Sequence, residues 1–486
     1  MSAVPKIRSA RTSLAIEQAE QRRWRPRPGK SVGPFEALLP REFRPAEGQR
    51  AEELRRLAAI LGFAMRQVPY YRDLFSRLGF RPDKMKSLDD LRLLPVLTRS
   101  EVQAHGEELT AARLPPREAP GRVRRTSGTT GQPLRVKHTF GSNFMFPLLK
   151  QRELRWFRYD PAGTLGAIRP VRDLPRKPDE PVLAKGEVCR FPLWPGVGVV
   201  FETGPLVGFG NNNPPQDQTA WLLETRPDYL IAQAGDLEHL ALSLGERGRE
   251  IGLRGIESIS HQLTPEMRAR IEAAFGVPVH ENYGLNEFGL VATRCPEGGR
   301  FHIHSELCLV EIIDEQGEPC PPGRAGRVLV TGLANPMMPL FRYDSDDMAE
   351  VVEGPCPCGR TLASFGRIYG RYRRIVLMPP GTWERWATVQ RALNELPPEL
   401  GGPLRQYQFH QYRDGRYELR LTFAASMPAG FAERMQRAWA AGAGGDSPLA
   451  VREMAEIPRP PGGKFQNFTS DFAPPPGPLT DSSEGA

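Results

Sequence analysis

Apolar residues recur every three or four positions between 51 and 68, where Leu54, Leu57, Ala58, Leu61 and Met65 share one face, and this spacing predicts an amphipathic helix. Thr98-Arg-Ser-Glu101 has the spacing of a capping box and predicts a second helix start. Thr264-Pro265 predicts a third, with Met267, Ile271 and Ala274 as its buried stripe and Gly276 as its stop. Shorter apolar runs at 227–232, 277–280, 307–314 and 327–331 read as strands. Such alternation predicts the α/β class, with layered sheets and helices packed on them.

The pattern changes after Gly370. A strand at 375–378 and a helix at 386–396 precede a hairpin, whose arms 406–412 and 417–424 flank an Asp414-Gly415 turn. A helix over 431–441 follows, so this part reads as a compact α+β unit. Four segments result: a Pro- and Arg-rich, loosely structured extension at 1–49, a large domain at 50–370, a small one at 371–473, and a disordered tail at 474–486.

Composition narrows the class. The 486 residues are 40% hydrophobic and 25% charged, ample for a sizeable core. Net charge is +8, yet the basic residues are scattered, with short clusters at Arg22-Arg23-Trp24-Arg25 and Arg371-Tyr372-Arg373-Arg374. With neither a basic helix nor an aromatic-rich RNA motif, the charge suits an anionic small substrate and not nucleic acid. No run reaches the ~18 apolar residues of a membrane helix, and the basic N-terminus lacks the apolar core of a secretory signal. Six cysteines in so long a chain make no disulfide framework, so a reducing cytoplasm is expected.

The candidate chemistry starts at Thr126-Ser127-Gly128-Thr129-Thr130-Gly131-Gln132-Pro133. Its glycines allow close backbone approach to an anion, and its hydroxyls and amides can ring phosphate oxygens. It lacks the Lys of a P-loop, and alone it reads equally as a polar turn. Other motifs shift the balance. In Glu281-Asn282-Tyr283-Gly284-Leu285-Asn286-Glu287, Tyr283 offers a flat face to a purine, Gly284 allows close approach, and Glu287 can hold Mg²⁺. In the run from Pro339 to Asp347, Asp347 can accept both ribose hydroxyls, and Arg367 adds a sugar or phosphate contact. Pro460-Pro-Gly-Gly-Lys464 places one lysine after a flexible pair, able to swing onto a developing charge.

In order and spacing these motifs resemble the acyl-adenylating superfamily, and most of all the phenylacetate–CoA ligase family with its capsule-biosynthesis and deazaflavin-adenylating relatives. Val68-Pro-Tyr-Tyr-Arg72, Ser87-Leu-Asp-Asp-Leu91, Leu94-Pro-Val-Leu-Thr98, Thr264-Pro-Glu-Met267 and Cys356-Pro-Cys-Gly-Arg360 extend the likeness over most of 50–470. The resemblance implies an adenylation domain at 50–370 and a mobile C-terminal lid. It implies ATP-dependent conversion of an aromatic or hydrophobic acid to an acyl-adenylate, release of pyrophosphate and transfer to coenzyme A. Thr126, Ser127, Gly128, Thr129, Thr130 and Gly131 would hold phosphates, with Thr130 taking part in catalysis. Tyr283 would stack on adenine, Asn282 would read its edge, and Gly284 and Asn286 would line the nucleotide. Glu287 would ligate Mg²⁺, Asp347 and Arg367 would fix the ribose, Lys464 would bridge carboxylate and α-phosphate, and Arg373 would be the hinge.

Cys295 and His302, with six residues between them that include a Gly-Gly turn, could join Cys356 and Cys358 as four tetrahedral donors or could belong to two ordinary polar turns. Similar ligands in some phenylacetate–CoA-ligase-like proteins favour structural Zn²⁺, with His304 as the runner-up ligand. Against the family pattern, His261 and Gln262 stand where relatives carry small glycine-rich residues, and are read as pocket residues. Arg373 replaces the usual hinge residue, and Leu377-Met-Pro-Pro-Gly-Thr-Trp383 replaces a Gly-rich thiol-admitting turn. These departures keep two alternatives open: adenylation with another acceptor (amine, hydroxyl, carrier protein or cofactor), and a degenerate nucleotide-binding module. The expected partners are the acid and ATP, without nucleic acid or membrane, and sheet edges allow a homodimer.

Overall fold

The computed structural model describes residues 18–21, 23–30, 38–125, 134–176, 180–260, 262–371, 404–442, 448–457 and 468–471, with isolated helical positions between 388 and 400. The phosphate loop, His261, the Arg373 hinge, Lys464, the strand expected at 375–378 and the tail lie outside the described residues.

A nine-stranded sheet forms the centre. Its middle strands, Leu206–Gly210, Leu165–Arg169, Tyr229–Gln233, Gly255–Ile259 and Val279–Leu285, run parallel, and antiparallel strands close both flanks. Alternate residues of these strands point to opposite faces. Ile168, Leu230, Ala232, Ile256 and Val279 lie in one apolar cluster with Leu237, Ala241, Ile271 and Phe275 of the helices Ala234–Leu244 and Pro265–Phe275. The opposite face carries Glu257 and His280, in register with each other, under the long helix Phe140–Trp156.

The expected helix ends hold. Thr98 and Glu101 form a reciprocal capping box. Thr264 caps the Met267 amide, Pro265 takes the first turn, and Gly276 ends the helix at φ 72°, where a side chain would be strained. The helix expected from 51 starts earlier and runs Ala46–Gln67.

A second, antiparallel sheet orders Cys308–Ile313, Ala325–Gly332, Tyr343–Glu350 and Ile368–Arg371. The C-terminal unit has its own four-stranded sheet, in which Leu404–Gln411 and Tyr417–Phe423 form the expected hairpin beneath the helix Phe431–Ala441. Its core of Phe409, Tyr417, Leu419 and Trp439 joins Met348 and Tyr369 of the larger part. The mixed α/β architecture, a large multi-sheet part and a smaller C-terminal sheet domain, is the expected fold class.

The N-terminal extension, expected to lie loosely, contributes Trp24, Leu38 and Phe43 to buried packing. It also contributes Glu42, which is fully buried because Arg152, Arg155, Arg360 and the indole of Trp156 surround its carboxylate. A Pro- and Arg-rich composition gives no sign of such long-range pairing.

Candidate active site

Val279–Leu285 is the last parallel strand of the run, and the ligand-binding crevice of such sheets lies beyond the carboxyl ends of the strands. The motif 281–287 occupies this position. Pleating sends Tyr283 and Asn282 to opposite faces. The Tyr283 hydroxyl donates to Asp347 Oδ2 at 2.8 Å, joining the central sheet to the second sheet, and Phe365 packs edge-on against the ring. Asp347 follows Asp346, which takes φ 63°, an uncommon left-handed turn that reorients the strand beside the site.

Glu287 is buried beyond the strand end. It accepts from the Tyr343 hydroxyl at 2.9 Å, and the buried Arg99 guanidinium lies 3.7 Å away. Burial, reinforced by Glu287, holds the Tyr343 phenol far above its ordinary pKa, so it remains a donor. Gly284 and Asn286 are exposed beside it. Gln262 donates to the Ile368 carbonyl at 3.2 Å and so fastens the segment before the helix Pro265–Phe275 to the second sheet. Arg367 is exposed, and its carbonyl accepts from the Glu350 amide, three positions along the strand from Asp347. Tyr283 and Asp347 are thus joined directly, Glu287 is held just past the same strand end by Tyr343, and Arg367 lies opposite Glu350.

Asn282 reaches a site that the motifs do not reveal. Its amide donates to Glu153 and Glu257 at 3.0 Å each. Lys150 pairs with both carboxylates, His280 lies 3.3 Å from Glu153, and the Tyr159 hydroxyl meets His280 Nδ1 at 3.1 Å. Burial pushes Glu257 upward, but Lys150 and His280 outweigh it and hold its pKa at about 2. Burial alone would lower His280, yet its bonds to Glu153 and Glu257 raise it. Glu153, Glu257 and His280 could also be arranged around a cation, but the Lys150 ammonium already supplies one. The sequence signal for this cluster is a carboxylate in the apolar strand Gly255–Ile259 and a helix buried on every side from Pro147 to Trp156.

The cysteine motif also closes. One ligand atom from each of Cys295, His302, Cys356 and Cys358 lies within 4.8 Å of the others, and all four residues are buried. Cys356 and Cys295 sulfurs are 3.8 Å apart, near the ~3.8 Å edge of a tetrahedron with ~2.3 Å metal–sulfur bonds. His302 turns Nδ1 to the Leu362 carbonyl at 3.2 Å and Nε2 to Cys358, leaving the inward nitrogen for a metal. The Gly298 and Arg360 amides donate to Cys295 and Cys358. His304 instead meets Arg152 and Thr293, so the geometry selects His302 over the runner-up.

No family model matches the chain. Curated relatives do. A phenylacetate-coenzyme A ligase of Thermus thermophilus is 28% identical over 338 residues, covering 68% of this chain and 72% of that protein. A phenylacetate-coenzyme A ligase of Pseudomonas putida is 25% identical, covering 79% and 83%. Among solved structures, a 2-hydroxyisobutyryl-CoA ligase in the postadenylation state superposes with TM-score 0.67 at 19% identity, covering 89% of this chain and 91% of the other. The fold is shared across that length.

Proposed function

We propose that this chain, a relative of the phenylacetate–coenzyme A ligases with the fold of AMP-forming acyl-CoA ligases, activates a carboxylic acid with ATP and passes it to coenzyme A. The observation that carries the reading is the Tyr283–Asp347 pair, which sets an aromatic face and a carboxylate side by side at the carboxyl end of the parallel strands. Tyr283 stacks on adenine, Gly284 and Asn286 line the nucleotide, Asp347 accepts the ribose hydroxyls, and Arg367, opposite Glu350 further along the strand, is left to a separate sugar or phosphate contact. The loop Thr126, Ser127, Gly128, Thr129, Thr130 and Gly131 holds the β- and γ-phosphates.

Glu287 is the carboxylate for Mg²⁺, which would neutralise phosphate charge, and Arg99 and Tyr343 keep it in place. An acid oxygen attacks the α-phosphorus as its bond to the β-phosphate oxygen breaks and pyrophosphate leaves. Lys464 steadies the charge that develops there. Residues 371–473 then rotate about Arg373 as a lid, and the coenzyme A thiol loses its proton to solvent as its sulfur bonds to the acyl carbon and AMP leaves. Gln262, with His261, borders the acid pocket, and the acid is aromatic or hydrophobic.

Cys295, His302, Cys356 and Cys358 suit a structural Zn²⁺ that clamps the turn after Arg294 to the segment before Arg360. All six cysteines are buried free thiols. Among the described residues no helix is long and apolar enough to cross a membrane.

Acid-dependent exchange of pyrophosphate into ATP over a carboxylate panel tests the proposal, and arylacetates are expected to support it. Exchange with no acid at all would remove the enzymatic reading. Lys464→Ala should abolish exchange while largely sparing thioester formation from a supplied acyl-adenylate; surviving exchange would refute the role given to Lys464.

A further inference from the structure

We propose that Asn282 is a positioning residue for the nucleotide: through Glu153, Glu257 and Lys150 it fixes the strand end that presents Tyr283, in place of the contact to the adenine edge that its motif suggests. The inference rests on the adenylation reading above.

Backbone pairing is weakest at that end. The ladder between Val279–Leu285 and Gly255–Ile259 stops at the pair Ser258 and Glu281, one residue before Asn282. On the other side, the ladder to Gly289–Arg294 shifts register between Tyr283 and Gly284. Tyr283 thus stands where one neighbouring strand has been left and the other is out of step. Asn282 reaches back across the gap. Its amide donates to Glu257 of the strand just left and to Glu153 of the helix Phe140–Trp156, 3.0 Å from each.

These groups close into a ring. Glu153 Oε1 and Glu257 Oε1 each accept from the Asn282 amide and from the Lys150 ammonium. His280 lies 3.3 Å from Glu153 and 3.5 Å from Glu257, and Thr293 donates to the second oxygen of Glu153 at 3.4 Å. Lys150, Glu153 and Glu257 are buried, so a member that moves loses a bond without gaining water. Both amide hydrogens of Asn282 are committed to the ring, and neither is left for adenine. Pleating also turns Asn282 away from the Tyr283 ring, so a base stacked there lies across the strand from it. The path to the nucleotide is short: Lys150 holds the carboxylates, they hold Asn282, and one peptide further Tyr283 sets its hydroxyl on Asp347.

Calorimetric binding of AMP and of purine riboside 5′-monophosphate, which lacks the exocyclic amine, to the full chain and its variants provides the test, run well below each melting temperature. N282L keeps the volume and removes the amide, and should weaken both nucleotides alike, by about 10-fold. N282D, which sets a third carboxylate against Glu153 and Glu257, should weaken both further. A loss confined to AMP would overturn the proposal, because it marks a direct contact to the adenine amine. Unchanged affinity with a lowered Tm would overturn it too, because that marks a role in stability alone. Should N282L fail to fold, E257Q keeps the shape of the ring and removes one charge. It should weaken both nucleotides by about 3-fold or more, and unchanged affinity would again overturn the proposal. If the nucleotides respond as stated yet no acid supports exchange, the adenylation reading fails while the positioning role stands. If wild type binds neither nucleotide, both fall.

Discussion

The two faces of the central sheet are held by different physics, although they are built from alternate residues of the same strands. On one face Leu230, Ile256 and Val279 lie among aliphatic side chains of three helices and need only shape and apolarity. On the other, Glu257 and His280 take part in a chain of charges. That chain continues through Glu153, Thr293, His304, Arg152 and Glu42 to Arg360, which adjoins the cysteine cluster. The apolar face tolerates exchange of one hydrophobe for another. The charged face tolerates little, because each group is buried and depends on a particular partner.

The comparison breaks most visibly at Glu42. Glu42→Ala takes the carboxylate from buried Arg155, leaves Arg152 to Glu306 and Arg360 to Glu297, and should cost about 3–5 kcal/mol in urea unfolding. A loss below about 1 kcal/mol would show that the arginines are solvated and the contrast overdrawn. Leu230→Ala, a cavity on the apolar face, should cost about 2–4 kcal/mol.

The faces should also separate by pH. Glu257 and Glu306 are both held at about 2 in the fold against an ordinary 4.5. Their folded pKa values are depressed, so their stabilisation is complete above about 4.5 and is lost as pH falls towards 2. Leu230→Ala should shift the whole stability–pH curve down with its acid slope intact, whereas Glu257→Gln should flatten part of that slope. Parallel curves for both variants would refute the ionic account. The smallest effect is expected from Lys150→Met combined with Glu257→Gln. Removing both charges together should cost less than the two single losses added, with a coupling of about 1–3 kcal/mol.

These faces differed equally in how readable they were. Periodicity located the helix Pro265–Phe275 with its cap, stripe and stop, because each signal lies within a few residues of the next. The motif 281–287 pointed to Tyr283 and Glu287 and the run 339–347 to Asp347, since nucleotide chemistry limits which side chains can serve in such a candidate site. The four candidate metal donors were legible as two pairs with His302 already preferred, and the fold adds that His304 is taken up by Arg152 and Thr293. Nothing local announced Lys150, Glu153 and His280. A buried charge is recognisable only with its partner, and Glu257 lies 107 positions from Lys150.

Glu42 has one further consequence, and it concerns the ribosome. Its bond to Arg360 joins positions 318 apart. At synthesis rates of 5–20 residues per second, the earlier residue waits roughly 15–60 s for the later one to be made. Until then Glu42, Arg152 and Arg155 have emerged without Arg360, and the hub beneath the long helix is incomplete. The large domain is therefore expected to fold late, as one body, and a messenger truncated before codon 360 should yield an aggregating product instead of a smaller working protein.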